Sequence, residues 1–521
     1  MYYRFFRLIY LSCFLVFLPL LAKAELSTRE VWDNLKKLLE TGGYQVTGQE
    51  VSVGSDLSIK NVQIFFEVDN QTNIIFDIKS MNLSRNSDGF IYVSFPEEIY
   101  VQYLNEDEFG YETEANILVR ARELEFKVSG TLSEVLYELT ASSAGFVLVE
   151  LLNNGVPASD FSAQMEFVLT DINSKITSTG GSTIEVKSLL SASGASIKGG
   201  VSLLSVPLEV NFQYVMDQFK SSSVSNEPKV SLDQDLEQAL AKGFSATSNF
   251  NFDTSEMSLN AITPGGPLSI LFATGPSSLT TTISQSGFSV QSDNEKSLFN
   301  LSLPSNGSDF ELDFQEFSTS LNIPLLAKSG EQDFGMSVNL SGLNLSDTLW
   351  NLFGAGDLMP DDPASIKFAI EGSTILDEGL TREAIIENQN LGPLEFGKIL
   401  RFKLKEFLLS ALGISVEANG NFEFDNSDLE TFQGIPRPMG TASLQIKGSN
   451  TFIDRLEDMQ VFPSETIMGA RMMLALIMRA SGDDILSSEF EIDEKGKIYA
   501  NGQRLRSVSY THLTLPTKRI V

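Results

Sequence analysis

The stretch Leu57-Ser-Ile-Lys-Asn-Val-Gln-Ile-Phe-Phe-Glu-Val68 decides the fold. Leu57 and Ile59 alternate with polar residues, and Val62, Ile64, Phe66 and Val68 do so again. A period of two puts every second side chain on one face of a strand, whereas a helix would need a period near 3.6. The two runs are out of phase at Asn61, which reads as a β-bulge. Alternation of this kind returns at Ile74–Leu83, Phe90–Phe95, Ile99–Tyr103, Ile117–Val128 and Val135–Leu139, with turns at Ser87-Asp88-Gly89 and Phe109-Gly110. Strands continue from about Phe146 to Val215. They resume at Phe244–Phe252, Leu268–Phe272, Phe288–Val290, Phe310–Phe314 and Met336–Leu340. The fold class is therefore α+β and strand-dominated: long, curved antiparallel sheets, apolar on one face, with a few short packing helices.

The helices are few. Ser27-Thr-Arg-Glu30 is a capping box ahead of Val31, Trp32, Leu35, Leu38 and Leu39, and Gly42-Gly43 stops that helix. Leu345-Ser-Asp-Thr-Leu-Trp-Asn-Leu-Phe353 places the second tryptophan in a similar context. Ser221–Pro228 reads as a linker, followed by a short helix over Leu232–Ala241. Gly448 to Arg506 predicts a helix over Thr451–Met459, a break at Pro463, a Met-rich helix over 464–480 and a hairpin over Glu489–Gly502. The Met-rich helix is apolar nearly all round, so it is expected to be covered on most sides.

Both ends read as foreign to the mature protein. Arg4 and Arg7, the apolar run Leu8–Leu21 and Ala22-Lys-Ala24 form a secretory signal over 1–24, with cleavage expected before Glu25. Residues 507–521 follow a finished hairpin. Val508–His512 back-translates as a transposon end used in sequencing adapters, so this tail is set aside as an artefact. The organisation expected between them is 25–220 (helix and β-meander), 221–231 (linker) and 232–506 (β-rich region with the Trp350 helix and the Met-rich helix).

The single His (His512) and the single Cys (Cys13) both lie in those ends. The region between them lacks the residues for His-based acid–base chemistry, Ser-His-Asp triads, Cys nucleophiles, ordinary zinc sites and disulfides. With 37 Lys+Arg against 68 Asp+Glu, the formal net charge of −31 opposes nucleic acid and anionic headgroups as partners. The expectation is a non-enzymatic protein with no cofactor and no metal.

From Trp350 onward a set of short motifs carries a resemblance. They are Leu349–Phe353, Leu358-Met-Pro-Asp-Asp-Pro363, Phe424-Asp-Asn-Ser-Asp428, Gly434-Ile-Pro-Arg-Pro438, Ile453-Asp-Arg-Leu456, Met468-Gly-Ala-Arg-Met-Met473 and Ala500-Asn-Gly-Gln-Arg504. In these the chain resembles a family of secreted Gram-negative proteins, domain of unknown function 2125. The resemblance implies a periplasmic location and this architecture. It supplies no reaction, because none is established for the family.

The candidate site residues are Met468, Met472, Met473 and Arg471. Methionine suits both irregular cores and adaptable apolar binding surfaces. Arg471 in the middle of the helix argues against a membrane span and needs a carboxylate if buried, for which Asp454, Asp425 and Asp428 are the choices. Asp425-Asn-Ser427 reads as an Asx turn, and Arg437 sits in a rigid loop. The leading functional expectation is a periplasmic envelope protein holding an acyl chain or other apolar ligand in a sheet groove. It is not an integral membrane protein once the signal is removed. The alternatives are a scaffold binding another envelope protein and, third, a hydrolase using carboxylates alone.

Overall fold

The structure is a computed structural model. It describes residues 26–505 except 42, 70, 158–160, 181–182, 204, 229–235, 305–306, 353–358, 381–396 and 461. The expected signal (1–24) and the expected artefactual tail (507–521) thus lie outside the described residues. The chain divides into two units. One comprises Met1–Ala327, Val338–Gly354 and Glu378–Asn390, and the other Lys328–Ser337, Ala355–Asp377 and Leu391–Val521.

The first unit is an antiparallel meander. β1 (Tyr44–Val53), β2 (Asp56–Asp69) and β3 (Thr72–Arg85) pair in sequence. β4 (Ile91–Ser94) and β5 (Glu98–Glu106) both pair with β3. β6 (Glu112–Arg122) and β7 (Glu125–Thr131) both pair with β8 (Glu134–Asn153). After the short β9 (Val156–Pro157), β8 pairs with β10 (Phe161–Thr179), β10 with β11 (Thr183–Leu203), and β11 with β12 (Leu208–Pro228). β13 (Ser245–Phe252) and β14 (Thr254–Thr263) share β12 as a partner. β15 (Gly266–Thr274) and β16 (Ser277–Ser284) share β17 (Gly287–Leu303), which also pairs with β18 (Ser308–Ile323). β19 (Gln332–Leu345) follows.

A crease runs across this sheet. Its first member is the slip at Asn61, where φ is +52° and the β1–β2 register shifts between Thr47 and Gln49. Gly48 stands opposite because a Cβ there would come within 2.6 Å of the Ile59 side chain. The same left-handed backbone recurs at Glu123, Asp171, Gln218 and Lys296, each at the matching level of its strand. In the antiparallel register Asp171 falls between Thr170↔Gly194 and Asn173↔Ser191, and Gln218 falls between Asp217↔Gly194 and Phe219↔Ala192. Asp253 interrupts β13–β14, and Gly275-Pro276 interrupts β15–β16, on the same line.

One left-handed residue turns the strand and resets its alternation by one place. Inward residues at the crease are therefore three apart: Ile59 and Val62, Leu169 and Ile172, Ala192 and Ala195, Met216 and Phe219. Inside the line burial is high, with Ala192, Ala195, Ser255, Thr274, Ser277 and Ser297 all under 9% exposed. Asp171, Gln218 and Lys296 are exposed outside it. A sheet bent toward its apolar face produces this contrast. A β-branched residue is poorly tolerated at positive φ, so Gln218→Val is expected to cost about 1–2 kcal/mol, seen as a lowered melting temperature. An unchanged melting temperature would show that the kink at Gln218 carries no strain.

α1 (Thr28–Thr41) covers the start of the meander. The capping box forms in both directions: the Ser27 amide donates to Glu30 Oε2 at 2.7 Å, and the Glu30 amide donates to Ser27 Oγ at 3.2 Å. Leu26, Val31, Trp32 and Leu35 pack into one core with Leu57, Ile59, Val62, Leu83, Ile91, Phe126, Val128 and Tyr137. Two expectations are corrected. Ile117–Val128 is not one strand, because Glu123 (φ +51°) splits it into β6 and β7. Ser221–Pro228 is not a linker. It is the end of β12, bonded to β11 on one side and, from Ser221 to Asn226, to β13 on the other. Serine and asparagine there face a sheet edge-to-edge on both sides, so composition alone misreads them. The rest of the expected linker, 229–231, lies outside the described residues, and the short helix is α2 (Leu236–Ala241). The Trp350 helix is α3 (Asp347–Leu352), its Trp350 amide donating to the Ser346 carbonyl at 2.9 Å.

The second unit is a smaller antiparallel meander of β20 (Ala364–Leu376), β21 (Gly397–Ala411), β22 (Ile414–Asp425) and β23 (Arg437–Lys447). α4 (Ser449–Asp458) and α5 (Ser464–Ile477) then intervene. β24 (Arg479–Gly482), β25 (Ile485–Ile492), β26 (Ile498–Ala500) and β27 (Gln503–Arg504) complete it, β25 pairing with β23. Asp484 caps α4 from outside, accepting the Asn450 and Thr451 amides at 2.8 and 3.0 Å. The Met-rich helix ends at Ile477 rather than Ala480, since Met478 is extended and buried and Arg479 opens β24. No helix among the described residues is long and apolar enough to cross a membrane.

Candidate functional site

The register assigns the residues of the inner face beyond the crease. Phe161, Ala163, Met165, Phe167 and Leu169 of β10 lie opposite Leu203, Val201, Gly199, Ile197 and Ala195 of β11. These in turn face Leu208, Val210, Phe212, Tyr214 and Met216 of β12. Continuing across, Leu259 and Met257 of β14 meet Ile270 and Phe272 of β15, which meet Leu301 and Phe299 of β17. Phe310 and Leu312 of β18 close the series. Each strand contributes alternate apolar residues, so pairing them in register makes one continuous apolar surface.

That surface is incompletely covered. Met165, Val201, Phe212 and Met257 are 38–45% exposed, and most of the others are half-buried. The Phe212 ring packs against Gly199, where a Cβ would come within 2.3 Å of it. The outward positions of the same strands carry Gln164, Lys198, Gln213 and Ser258, so the apolar character belongs to one face.

On the near side of the crease the inner face changes character. Leu190, Phe219 and Phe250 keep it apolar close to the fold line, with the Phe219 and Phe250 rings 5.4 Å apart. Farther out it turns to hydroxyls: Ser188 and Ser223 hydrogen-bond across strands at 2.7 Å, and Ser225 follows. At the end of β12 stands Glu227, only 6% exposed. Its Oε1 accepts the Ser225 hydroxyl at 2.9 Å, and its Oε2 has no partner. Burial pushes this carboxyl up to about 7, and the Ser225 hydrogen bond offsets only part of that. Glu227 carries no local signal in the sequence, because Ser221–Pro228 has the composition of a linker.

The Met-rich helix differs from its expectation. Of α5 only Ile467 is buried, while Met468, Met472, Met473 and Leu476 are 63–74% exposed. These residues follow each other at helical spacing and form an open apolar stripe. Arg471 pairs with Asp454 and lies 3.6 Å from Glu457, so of the suggested partners Asp454 is the one used. Asp425 and Asp428 belong instead to Arg437, at 2.6 and 3.3 Å. The Asx reading of Asp425 stands, since Oδ1 accepts the Ser427 amide at 3.0 Å. The Ser427 hydroxyl and amide hold the Asp425 carboxyl below its usual range, with Arg437 adding to the effect. Arg437 thus ties both ends of the 425–437 loop, which is a structural role. No cluster of acidic, His or Cys side chains with metal-binding geometry occurs among the described residues.

No family model matches the chain, and no curated protein matches it. Among solved structures, the unliganded ferric citrate transporter FecA aligns over 89% of this chain and 76% of its own. The identity is 9% and the TM-score 0.17, too low for a common fold to be read from it.

Proposed function

We propose that this chain is a non-enzymatic, exported envelope protein that holds an acyl chain or another apolar ligand along the inner face of its creased sheet. The observation that carries this reading is the in-register surface from Met165 through Phe212 and Met257 to Phe299, apolar on one face and half-open to solvent. Contiguous apolar surfaces of this kind mark places where a ligand or partner belongs. Export and a periplasmic location rest on Arg4, Arg7, Leu8–Leu21 and Ala22-Lys-Ala24. Membership of the secreted family of unknown function 2125 is proposed on the motifs given above. The lack of His and Cys in 25–506 supports a binding role over a catalytic one.

The test is to express the full chain with its own signal in a Gram-negative host, purify the exported product, and extract it with organic solvent for mass spectrometry. A near-stoichiometric acyl lipid is expected. Phe212→Asp, which places a charge on the open surface, should lower lipid occupancy at least tenfold without loss of the folded sheet by circular dichroism. Lipid-free wild-type protein, or a variant with full occupancy, would overturn the reading. The exposed Met468, Met472, Met473 and Leu476 stripe favours the alternative, in which a second envelope protein docks on α5. Crosslinking from Met472 would then capture one defined partner.

A further inference from the structure

Glu227 and Ser225 occupy the inner face of β12, and the carboxylate is half satisfied. Oε2 is buried with no donor, although Oε1 has the Ser225 hydroxyl. The cross-strand neighbours on β11 are Ile184 opposite Glu227 and Val186 opposite Ser225, neither of which can donate from its side chain. The nearest lysine along β11, Lys187, alternates to the outer face and pairs there with Glu185. A buried acceptor without a donor is unfavourable, and native proteins seldom leave one unless something else completes it.

We propose that Glu227 and Ser225 form the headgroup site for a primary-ammonium amphiphile, whose alkyl chain runs along the inner face toward Phe250 and Phe219. This deepens the reading of that face as an apolar-ligand site and rests on it. An ammonium group brings three N–H donors and a positive charge. One N–H satisfies Glu227 Oε2, and a second can reach the lone pairs of Ser225 Oγ. The Ser188–Ser223 hydroxyl pair lies roughly 7 Å farther along the strands, the rise of two residues, and meets the first polar or methylene groups of the ligand. A fatty acid would set one carboxylate against another. An alcohol offers one donor and no charge. The net charge of −31 favours the approach of a cationic amphiphile over an anionic one.

The experiment titrates the full chain, as exported and delipidated, with dodecylamine, dodecanol and dodecanoate at one ionic strength by isothermal calorimetry. Dodecylamine is expected to bind at least tenfold tighter than dodecanol, with dodecanoate weakest. Glu227→Gln should bring amine and alcohol within twofold of each other while leaving dodecanol affinity unchanged, and Ser225→Val should lower amine affinity alone. If Glu227→Gln keeps the tenfold preference, the amine is held by the acidic surface at large and the headgroup site falls. Equal binding of all three probes by the wild type also removes the headgroup site but leaves the apolar face in place. If no probe binds, the apolar-ligand reading fails, and the headgroup site with it.

Discussion

Glu227→Gln stabilises the protein at pH 8 and leaves it nearly unchanged at pH 4. Burial raises the Glu227 carboxyl from 4.5 in the unfolded chain to about 7 in the folded one. Below the unfolded value both states are protonated and the group costs nothing. As pH climbs from 4.5 to 7 the unfolded chain releases its proton while the folded protein keeps it. Stability therefore falls through that window and is level above it. At about 1.4 kcal/mol per pKa unit the full loss is about 3 kcal/mol. Glutamine keeps the shape and the bond to Ser225 without an ionisable group, so it escapes this loss. Melting curves of both proteins from pH 4 to pH 8 measure it directly. A gap between them that does not widen with pH would mean that Glu227 is charged and solvated in the folded state. The stabilised variant is also the one expected to lose its preference for an ammonium ligand. That is the pattern of a functional group kept at a cost in stability.

Trp32→Ala is the other large effect. Trp32 is 2% exposed, lies in the core with Leu26, Val31 and Leu35, and donates its Nε1–H to Glu50 Oε1 at 2.9 Å. Removing a buried indole leaves a cavity, at a cost of about 3–5 kcal/mol, while Glu50 keeps Arg29 as its partner at 3.0 Å. The damage should not stay local. α1 packs on β1, β2 and β3, so its release exposes Leu57, Ile59 and Leu83 together. Trp350, half-buried on the six-residue α3, is expected to matter much less when replaced by Ala. Thermal unfolding of the two variants separates these cases. Equal shifts would deny α1 its role as the cover of the meander.

The strands were legible because they are built on period two. Leu57, Ile59, Val62 and Phe66 announce a half-buried strand whatever surrounds them. The capping box at Ser27 and the glycine stop after it were legible for the same reason, as their partners are a few residues away in the chain. The slip at Asn61 was visible too, yet its meaning was not. A single slip is a local bulge. The crease exists only because Glu123, Asp171, Gln218 and Lys296 fall on one line, and their alignment is set by strand pairings up to dozens of residues apart. Sequence spacing does not show that Asp171 and Gln218 are near neighbours across β11.

Candidate sites fared similarly. Hydropathy marked the Met-rich helix and led to the expectation of burial, because a uniformly apolar helix has no evident wet side. In the folded unit Ile467 is buried, Leu474 and Ile477 are half-buried, and Met468, Met472 and Met473 stand open. Glu227 gave no local signal at all. An acidic residue in Ser-Ser-Ser-Val-Ser-Asn-Glu-Pro resembles any solvated loop. Its carboxylate becomes unusual only in the fold, where β12 pairs with β11, Ile184 stands opposite and Glu227 is buried.

By itself the sequence determined the class of fold, where the main helices begin, the acidic net charge and the lack of His and Cys between residues 25 and 506, since each depends on composition or on neighbours within a few residues. The tertiary structure alone decided where the sheet bends, which apolar side chains join into one surface, and which carboxyl group is cut off from water. Those three follow from strand register and burial, which join residues distant in the chain and so leave no local trace in the order of amino acids.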